Sequence, residues 1–244
     1  MQHYGLVGKR LGHSFSKRYF TEKFKQEAID AIYTLIEIEE ISSIVEILRL
    51  DKKMCGFNVT IPYKQSIIKH LDELSPEAEA VGAVNCVDVR DGRTKGYNTD
   101  IEGIKLTLDK LNIEPGTQAL VLGSGGASRA TTYILRQLGI PYMVVSRNEA
   151  NGDITYDKLT RDIIECHKLI INATPVGMFP DLDSAPNIDY DAIGPDHKVF
   201  DLIYNPSITL FMLQAKERGA QCIGGMPMLD RQAEVSWQIW QRDR

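Results

Sequence analysis

"QALVLGSGGASRATTYILRQLG" (residues 118–139) opens on an apolar run, breaks at glycines and resumes with apolar residues at helical spacing. That order predicts a strand, a tight turn and a helix. Gly123 permits the sharp turn, Ser124 fills it, and Gly125 lets the backbone approach a pyrophosphate. The helix opening at Gly126 and Ala127 then offers unpaired N–H groups and a positive dipole end. A G-x-G-x-x-[GAS] match is short, and a merely structural glycine turn competes with the dinucleotide-binding one. YMVVS (142–146) supplies the second strand that the binding unit requires.

The end of that strand decides which dinucleotide fits. An acidic residue there would accept hydrogen bonds from a free ribose hydroxyl. The sequence has Ser146-Arg147-Asn148 instead. An arginine suits a 2′-phosphate through charge-assisted, bidentate hydrogen bonds, so NADP is favoured over NAD. Glu149 complicates the reading, since it either pairs with Arg147 or repels the phosphate; an exposed arginine with no ligand is the bland alternative.

Outward from this core, KLIINAT (168–174) and KVFDLIY (198–204) read as further strands. A final helix starts near Pro227 and carries Ala233, Val235, Trp237, Ile239 and Trp240. Upstream, Asp100 begins a helix with Ile101, Ile104, Leu108 and Leu111 along one side, stopped by Pro115-Gly116. The first hundred residues alternate strands (YGLVG 4–8, YTLIEI 33–38, CGFNVTI 55–61) with helical patterns, which predicts a mostly parallel sheet. A tight hairpin is expected at Asp91-Gly92. The expected architecture is therefore two α/β domains. A substrate domain with a mainly parallel sheet spans 1–99 and is rejoined by the terminal helix 226–244. A Rossmann-type NADP-binding domain spans 100–225.

Bulk composition narrows the function classes. The chain has 244 residues, 43% hydrophobic and 25% charged, with a net charge of -5. The composition is that of a soluble globular protein, and the net charge argues against a nucleic-acid-binding surface. No apolar run approaches the roughly 20 residues of a membrane span, and no signal peptide is visible. Cys55, Cys86, Cys166 and Cys222 lack metal or redox spacing and are expected to be reduced and mostly buried in a cytoplasmic protein. The sequons at Asn58 and Asn172 stand at strand ends and read as coincidence.

A second constellation lies in the first hundred residues. In FNVTIPYK (57–64), Asn58 and Thr60 share one strand face, Val59 and Ile61 anchor the other, and Pro62 ends the strand. Ser14 and Ser16 follow the first strand, Lys64 opens the next helix, Asn85 precedes another strand, and Asp100 closes GYNTD. Ligands bind at the carboxyl ends of parallel strands, and hydroxyls and amides arrayed there suit a small polyhydroxylated substrate. Each residue also has a plain reading: Ser16 as a helix N-cap, Asn85 as a turn residue, Lys64 as a solvated helix charge.

GHSFS (12–16), GFNVTIPYK (56–64), VGAVNCV (81–87), GYNTD (96–100), GSGGASR (123–129), INATPVG (171–177) and MLDRQA (228–233) together resemble the shikimate dehydrogenase family, in the family's order and over nearly the whole chain. The resemblance implies NADPH-dependent reduction of 3-dehydroshikimate to shikimate, on the route to chorismate and aromatic amino acids. It makes Ser14, Ser16, Asn58, Thr60, Lys64, Asn85, Asp100, Tyr204 and Gln232 substrate ligands, with Lys64 the catalytic lysine. Gly123–Ala127, Ser146–Asn148, Thr174, Leu202 and Gly225 fall at the family's cofactor positions. Reducing a ketone needs a proton donor, which the Lys64 ammonium provides and Asp100 would hold in place. Domain closure and dimerisation are further expectations of the resemblance.

Three departures stand out. Lys17 replaces the family's usual proline, the segment after Arg147 is short and lacks the second basic residue often found there, and the chain is somewhat shorter than usual, mostly through that same region. A relative that also oxidises quinate, using NAD or NADP, is the nearest alternative. A non-catalytic metabolite sensor is a further one, although it would have no need of Lys64 and Asp100.

Overall fold

The computed structural model describes residues 1–12 and 14–242. His13 of the GHSFS motif and the last two residues of the expected terminal helix lie outside the described residues. The chain divides into two compact units, one of Met1–Thr99 with the chain end from Ala233, the other of Asp100–Gln232.

The first unit runs β1 (Gln2–Gly8), α1 (Phe15–Gln26), β2 (Ala31–Glu37), α2 (Ser43–Leu50), β3 (Met54–Val59), β4 (Glu73–Leu74), α3 (Pro76–Val81), β5 (Cys86–Arg90) and β6 (Arg93–Tyr97). Its sheet has the order β2-β1-β3-β5-β6-β4. β1 pairs in parallel with β2 and β3, while β5 runs antiparallel to both β3 and β6. The Asp91-Gly92 hairpin forms as expected, with Arg90 opposite Arg93 and positive φ at both turn residues, the geometry that Asp-Gly favours.

Apolar layers cover both faces of this sheet. One holds Ile44, Phe57, Val59, Ile67 and Val87. The other is aromatic and gathers Tyr4, Phe20, Phe24, Tyr33, Trp237 and Trp240. Trp240 is fully buried, 4.8 Å from the Tyr4 ring and 5.2 Å from Phe20, and its indole N–H donates to the Val87 carbonyl at 3.0 Å. Gly56 lies directly beneath that indole, where any Cβ would collide with it. Truncating Trp240 to alanine would cost about 3–5 kcal/mol through lost transfer energy and the cavity left behind.

The second unit comprises α4 (Asp100–Leu111), β7 (Ala119–Leu122), α5 (Gly126–Gln137), β8 (Tyr142–Ser146), β9 (Ile154–Thr155), α6 (Arg161–Cys166), β10 (Leu169–Asn172), β11 (Lys198–Asp201), α7 (Leu210–Glu217), β12 (Gln221–Ile223) and the start of α8 (Met226–Gln241). Its six strands are all parallel, in the order β12-β11-β10-β7-β8-β9. Counted along the unit this is the doubly wound order, and it reverses between β7 and β10. Leu120, Leu122, Val145, Ile170, Val199 and Phe211 form the core. α8 contributes Met226–Gln232 to this unit and continues into the first from Ala233.

Two expectations about surface and core need correcting. Ile61 is 59% exposed, so it anchors nothing; only Val59 is buried. Of the cysteines, Cys86 alone is buried, Cys55 and Cys222 are half-buried, and Cys166 is exposed on α6, where an amphipathic helix turns its polar side outward. None of the four is held in a disulfide.

Candidate functional site

β1 and β3 are parallel with Val7 opposite Val59, so their carboxyl ends share one edge of the first sheet. β5 begins and β6 ends at the same edge, with Cys86 opposite both Asn58 and Tyr97. The topology therefore places Ser14 and Ser16, Asn58 through Lys64, and Asn85 at one edge of one unit. Asn98 and Thr99, which lead into Asp100, end at that edge too.

Local geometry refines the expected roles. β3 stops at Val59, so Thr60 stands just past the strand, its N–H bonded to the Val7 carbonyl at 3.0 Å. Lys64 does not open a helix. It is half-buried in the turn before a short 3-10 helix, Ser66–His70, and its carbonyl accepts from the Val84 N–H at 2.7 Å. The cap of α1 is Ser14, whose hydroxyl accepts from the Lys17 N–H at 3.4 Å; Ser16 sits inside the first turn. Lys17 stands there without breaking the helix start.

Side chains at this edge are knit together. Asn58 accepts from the Tyr33 hydroxyl at 2.8 Å and donates to the Asn85 carbonyl at 3.1 Å and the Ser236 hydroxyl at 2.9 Å. Both its amide hydrogens are thus used inside the unit, leaving one lone pair on its oxygen. Asn85, 2% exposed, donates to Thr99 Oγ1 at 3.0 Å and accepts from the Thr99 N–H at 2.7 Å. Thr99 and Ser236 hydroxyls lie 3.3 Å apart. Burial pushes the Tyr33 phenol well up, opposed by its hydrogen bond with Ser16. The sequon reading of Asn58 fails on this geometry, and Asn172 is fully buried.

In the second unit the glycine turn sits at the point where the strand order reverses. Gly123 follows β7 with φ of +105°, and a Cβ there would meet Thr174 Cγ2 at 2.8 Å, so glycine is required on both counts. Over Gly125 the space is open: an added Cβ meets nothing within 4 Å. Gly125 is also the cap residue of α5 and supplies no side-chain bond to its first turn. Open space, an uncapped helix start and a strand-order reversal fit a dinucleotide pyrophosphate. Ser124 and Ser146 hydroxyls lie 3.2 Å apart, Ser146 accepts from the Asn148 N–H, and Arg147 is exposed.

Thr174 is held by Asn172, whose side-chain oxygen accepts from the Thr174 hydroxyl at 2.6 Å. Asn172 in turn donates to Asp201 at 3.0 Å, and Asp201 also accepts from the Thr209 hydroxyl at 2.5 Å and the Ile203 N–H at 3.0 Å. Burial raises the Asp201 carboxyl to about 6 against those bonds. Leu202 and Gly225 meet closely: a Cβ on Gly225 would strike the Leu202 carbonyl. Tyr204 is half-buried, its phenol pushed up by burial. Asp100, buried, is the first residue of α4, and Gln232 lies on α8. Those helices touch where Gly103 meets Met228, one turn after Asp100 and one turn before Gln232.

Tyr33, Thr99, Ser236, Asn172 and Asp201 were not singled out from sequence as functional residues, yet they hold the ones that were. Thr99 had a signal in its place beside Asp100; Ser236, on a helix 178 residues from its partner Asn58, had none.

Residues 6–87 match the model of the shikimate dehydrogenase substrate binding domain. The shikimate dehydrogenase (NADP(+)) of Methanococcus maripaludis is 37% identical over 97% of this chain and 90% of its own length. That of Clostridium beijerinckii is 37% identical over 99% and 92%. Among solved structures, the Thermus thermophilus shikimate 5-dehydrogenase in complex with NADP(H) and shikimate superposes with a TM-score of 0.88 at 28% identity, covering 99% of this chain and 94% of that one. No helix among the described residues is long and apolar enough to cross a membrane. With near-complete coverage of relatives this similar, the chain belongs to the shikimate dehydrogenase family.

Proposed function

We propose that this protein is a shikimate dehydrogenase, reducing 3-dehydroshikimate reversibly to shikimate with NADPH as a step of the shikimate pathway. The observation that carries the reading is the shared edge in the first unit, where hydroxyls and amides from four separate segments converge. Such a row matches a ring bearing several hydroxyls and a carboxylate. The first unit is then the substrate-binding part and the second the dinucleotide-binding part.

Ser14 and Ser16 bind the substrate's carboxylate side through their hydroxyls. Thr60, Asn85 and the remaining lone pair of Asn58 take ring hydroxyls, as do Tyr204 and Gln232. When bound, the nicotinamide supplies the hydride that converts the ketone to an alcohol. Lys64 gives the proton from Nζ to the developing alkoxide and takes it back in the reverse direction. Asp100 is the second catalytic group, its carboxylate accepting from a substrate hydroxyl. Gly123–Ala127 form the turn that holds the pyrophosphate, Gly123 by its conformation, its N–H being bonded to the Val145 carbonyl, and the residues after it through backbone N–H groups; Ser146–Asn148 meet the adenosine ribose and its 2′-phosphate, and Thr174, Leu202 and Gly225 line the nicotinamide end. Four cysteines with no disulfide among them support a cytoplasmic setting; a homodimer is the expected assembly, open to sedimentation measurement.

The test is turnover of shikimate and of quinate, each with NADP+ and with NAD+. Turnover with shikimate and NADP+ above the other three combinations is the expected result. Preference for quinate with NAD+ would replace the reading with its nearest alternative, and binding without turnover in any combination would make the protein a sensor.

A further inference from the structure

The segment after β8 carries a charge arrangement that the sequence left open. Glu149 does not pair with Arg147; its carboxylate is taken by the Lys158 ammonium. Lys158 is nine residues further on, and the fold brings it back. Asp153 exchanges backbone and side-chain hydrogen bonds with Val144, its N–H donating to the Val144 carbonyl at 2.9 Å and its carboxylate accepting from the Val144 N–H at 2.8 Å. Gly152 allows that approach, since a Cβ there would sit 2.7 Å from Ser146 Cβ. β9 then pairs in parallel with β8, with Thr155 opposite Ser146. Residues 156–158 therefore emerge at the same carboxyl edge as Arg147.

Tyr156, the first residue of that turn, has its phenol pushed up by burial and drawn partly back by the Arg147 charge, which puts the guanidinium within electrostatic reach of the turn. Arg147, Glu149 and Lys158 thus lie on one exposed edge together with the Asp157 carboxylate, and the four charges sum to zero. Without Lys158 the sum would be -1. A carboxylate released at this edge would repel a 2′-phosphate, which carries close to two negative charges at neutral pH, and would accept hydrogen bonds from a free ribose hydroxyl.

We propose that Lys158 is a specificity-determining residue: by occupying Glu149 it keeps the ribose end of the site from turning negative and so favours a 2′-phosphorylated dinucleotide over its unphosphorylated counterpart. It fills the place of the second basic residue that the short segment after Arg147 lacks. The inference rests on the second unit binding NADP+, as proposed above.

Isothermal titration of the full chain with 2′-phospho-ADP-ribose and ADP-ribose, without substrate, tests it. Lys158→Met should raise the Kd for the phosphorylated ligand about fivefold to tenfold while leaving or lowering that for ADP-ribose. Exposed charges are screened by salt, so the loss should shrink when ionic strength is raised toward about 1 M. Adding Glu149→Gln to Lys158→Met should restore affinity to within about twofold of wild type. Both side chains are largely exposed, 58% and 68%, so the fold should tolerate the changes, which thermal melting would verify. An unchanged ligand preference in Lys158→Met, or no recovery in the double variant, overturns the inference while the cofactor reading stands. A wild-type chain that binds neither 2′-phospho-ADP-ribose nor ADP-ribose overturns both.

Discussion

The two sheets prepare their carboxyl edges in opposite ways. In the first unit, Asn58, Asn85, Thr99, Tyr33 and Ser236 hydrogen-bond one another, so the edge is largely fixed before any ligand arrives. In the second, Gly125 leaves backbone uncovered and Arg147 is exposed, so the edge depends on its ligand for partners. Side chains held by several bonds give orientation; bare backbone N–H groups at a helix start give charge complementarity without side-chain ordering. A substrate with several similar hydroxyls needs the first kind of site, and a pyrophosphate is served by the second.

Four measurements would break or sharpen that contrast. The largest effect is expected for Lys64→Ala, a loss of about a thousandfold in kcat with NADP+ affinity unchanged, since proton transfer belongs to the first edge alone. Near-normal turnover would remove Lys64 from the mechanism. Next, Asn85→Ala should both unfold the protein more easily, by about 2–3 kcal/mol in denaturant titration, and impair turnover, because it leaves the buried Thr99 N–H without its acceptor. Stability equal to wild type would show that the first edge is not held by its own bonds.

The third concerns Asp201, which supports Thr174 through Asn172. Its carboxyl titrates near 3.8 in the unfolded chain and about 6 in the folded one. Between those values the folded state holds a proton that the unfolded state has released. Asp201 therefore contributes stability that is fully present below about pH 4 and lost as pH rises through 6, on the order of 3 kcal/mol in all. Asp201→Asn keeps the hydrogen-bonding shape and should remove that slope from the pH dependence of unfolding; an unaltered slope would refute it. The smallest effect is expected for Arg147→Ala: about a tenfold loss of NADP+ affinity, little loss for NAD+, and a melting temperature unmoved. Equal losses for both nucleotides would show that this arginine does not read the phosphate.

Much of this was legible in the sequence where a local rule applied. Asp91-Gly92 predicts its hairpin because the turn demands positive φ at both residues. β8 was read to the residue, and the glycine turn was read with its neighbours. FNVTIPYK misled in part because alternation continues in the letters after hydrogen bonding to the sheet has ended, so Ile61 reads as core and is exposed. β4, β9 and β12 span two or three residues, too few for any period to register. The network was illegible for a different reason. Tyr33 and Ser236 meet Asn58 across 25 and 178 residues, and nothing in their own surroundings announces a partner so distant.

Both tryptophans of the chain, Trp237 and Trp240, lie in the aromatic layer of the first unit. Tryptophan emission, excited selectively over tyrosine, is therefore a private reporter of that unit and silent about the other. Far-ultraviolet circular dichroism reads the helices and strands of both. If the two signals diverge during denaturation, the halves of the enzyme melt separately, and the order in which they do so can be read without attaching a label.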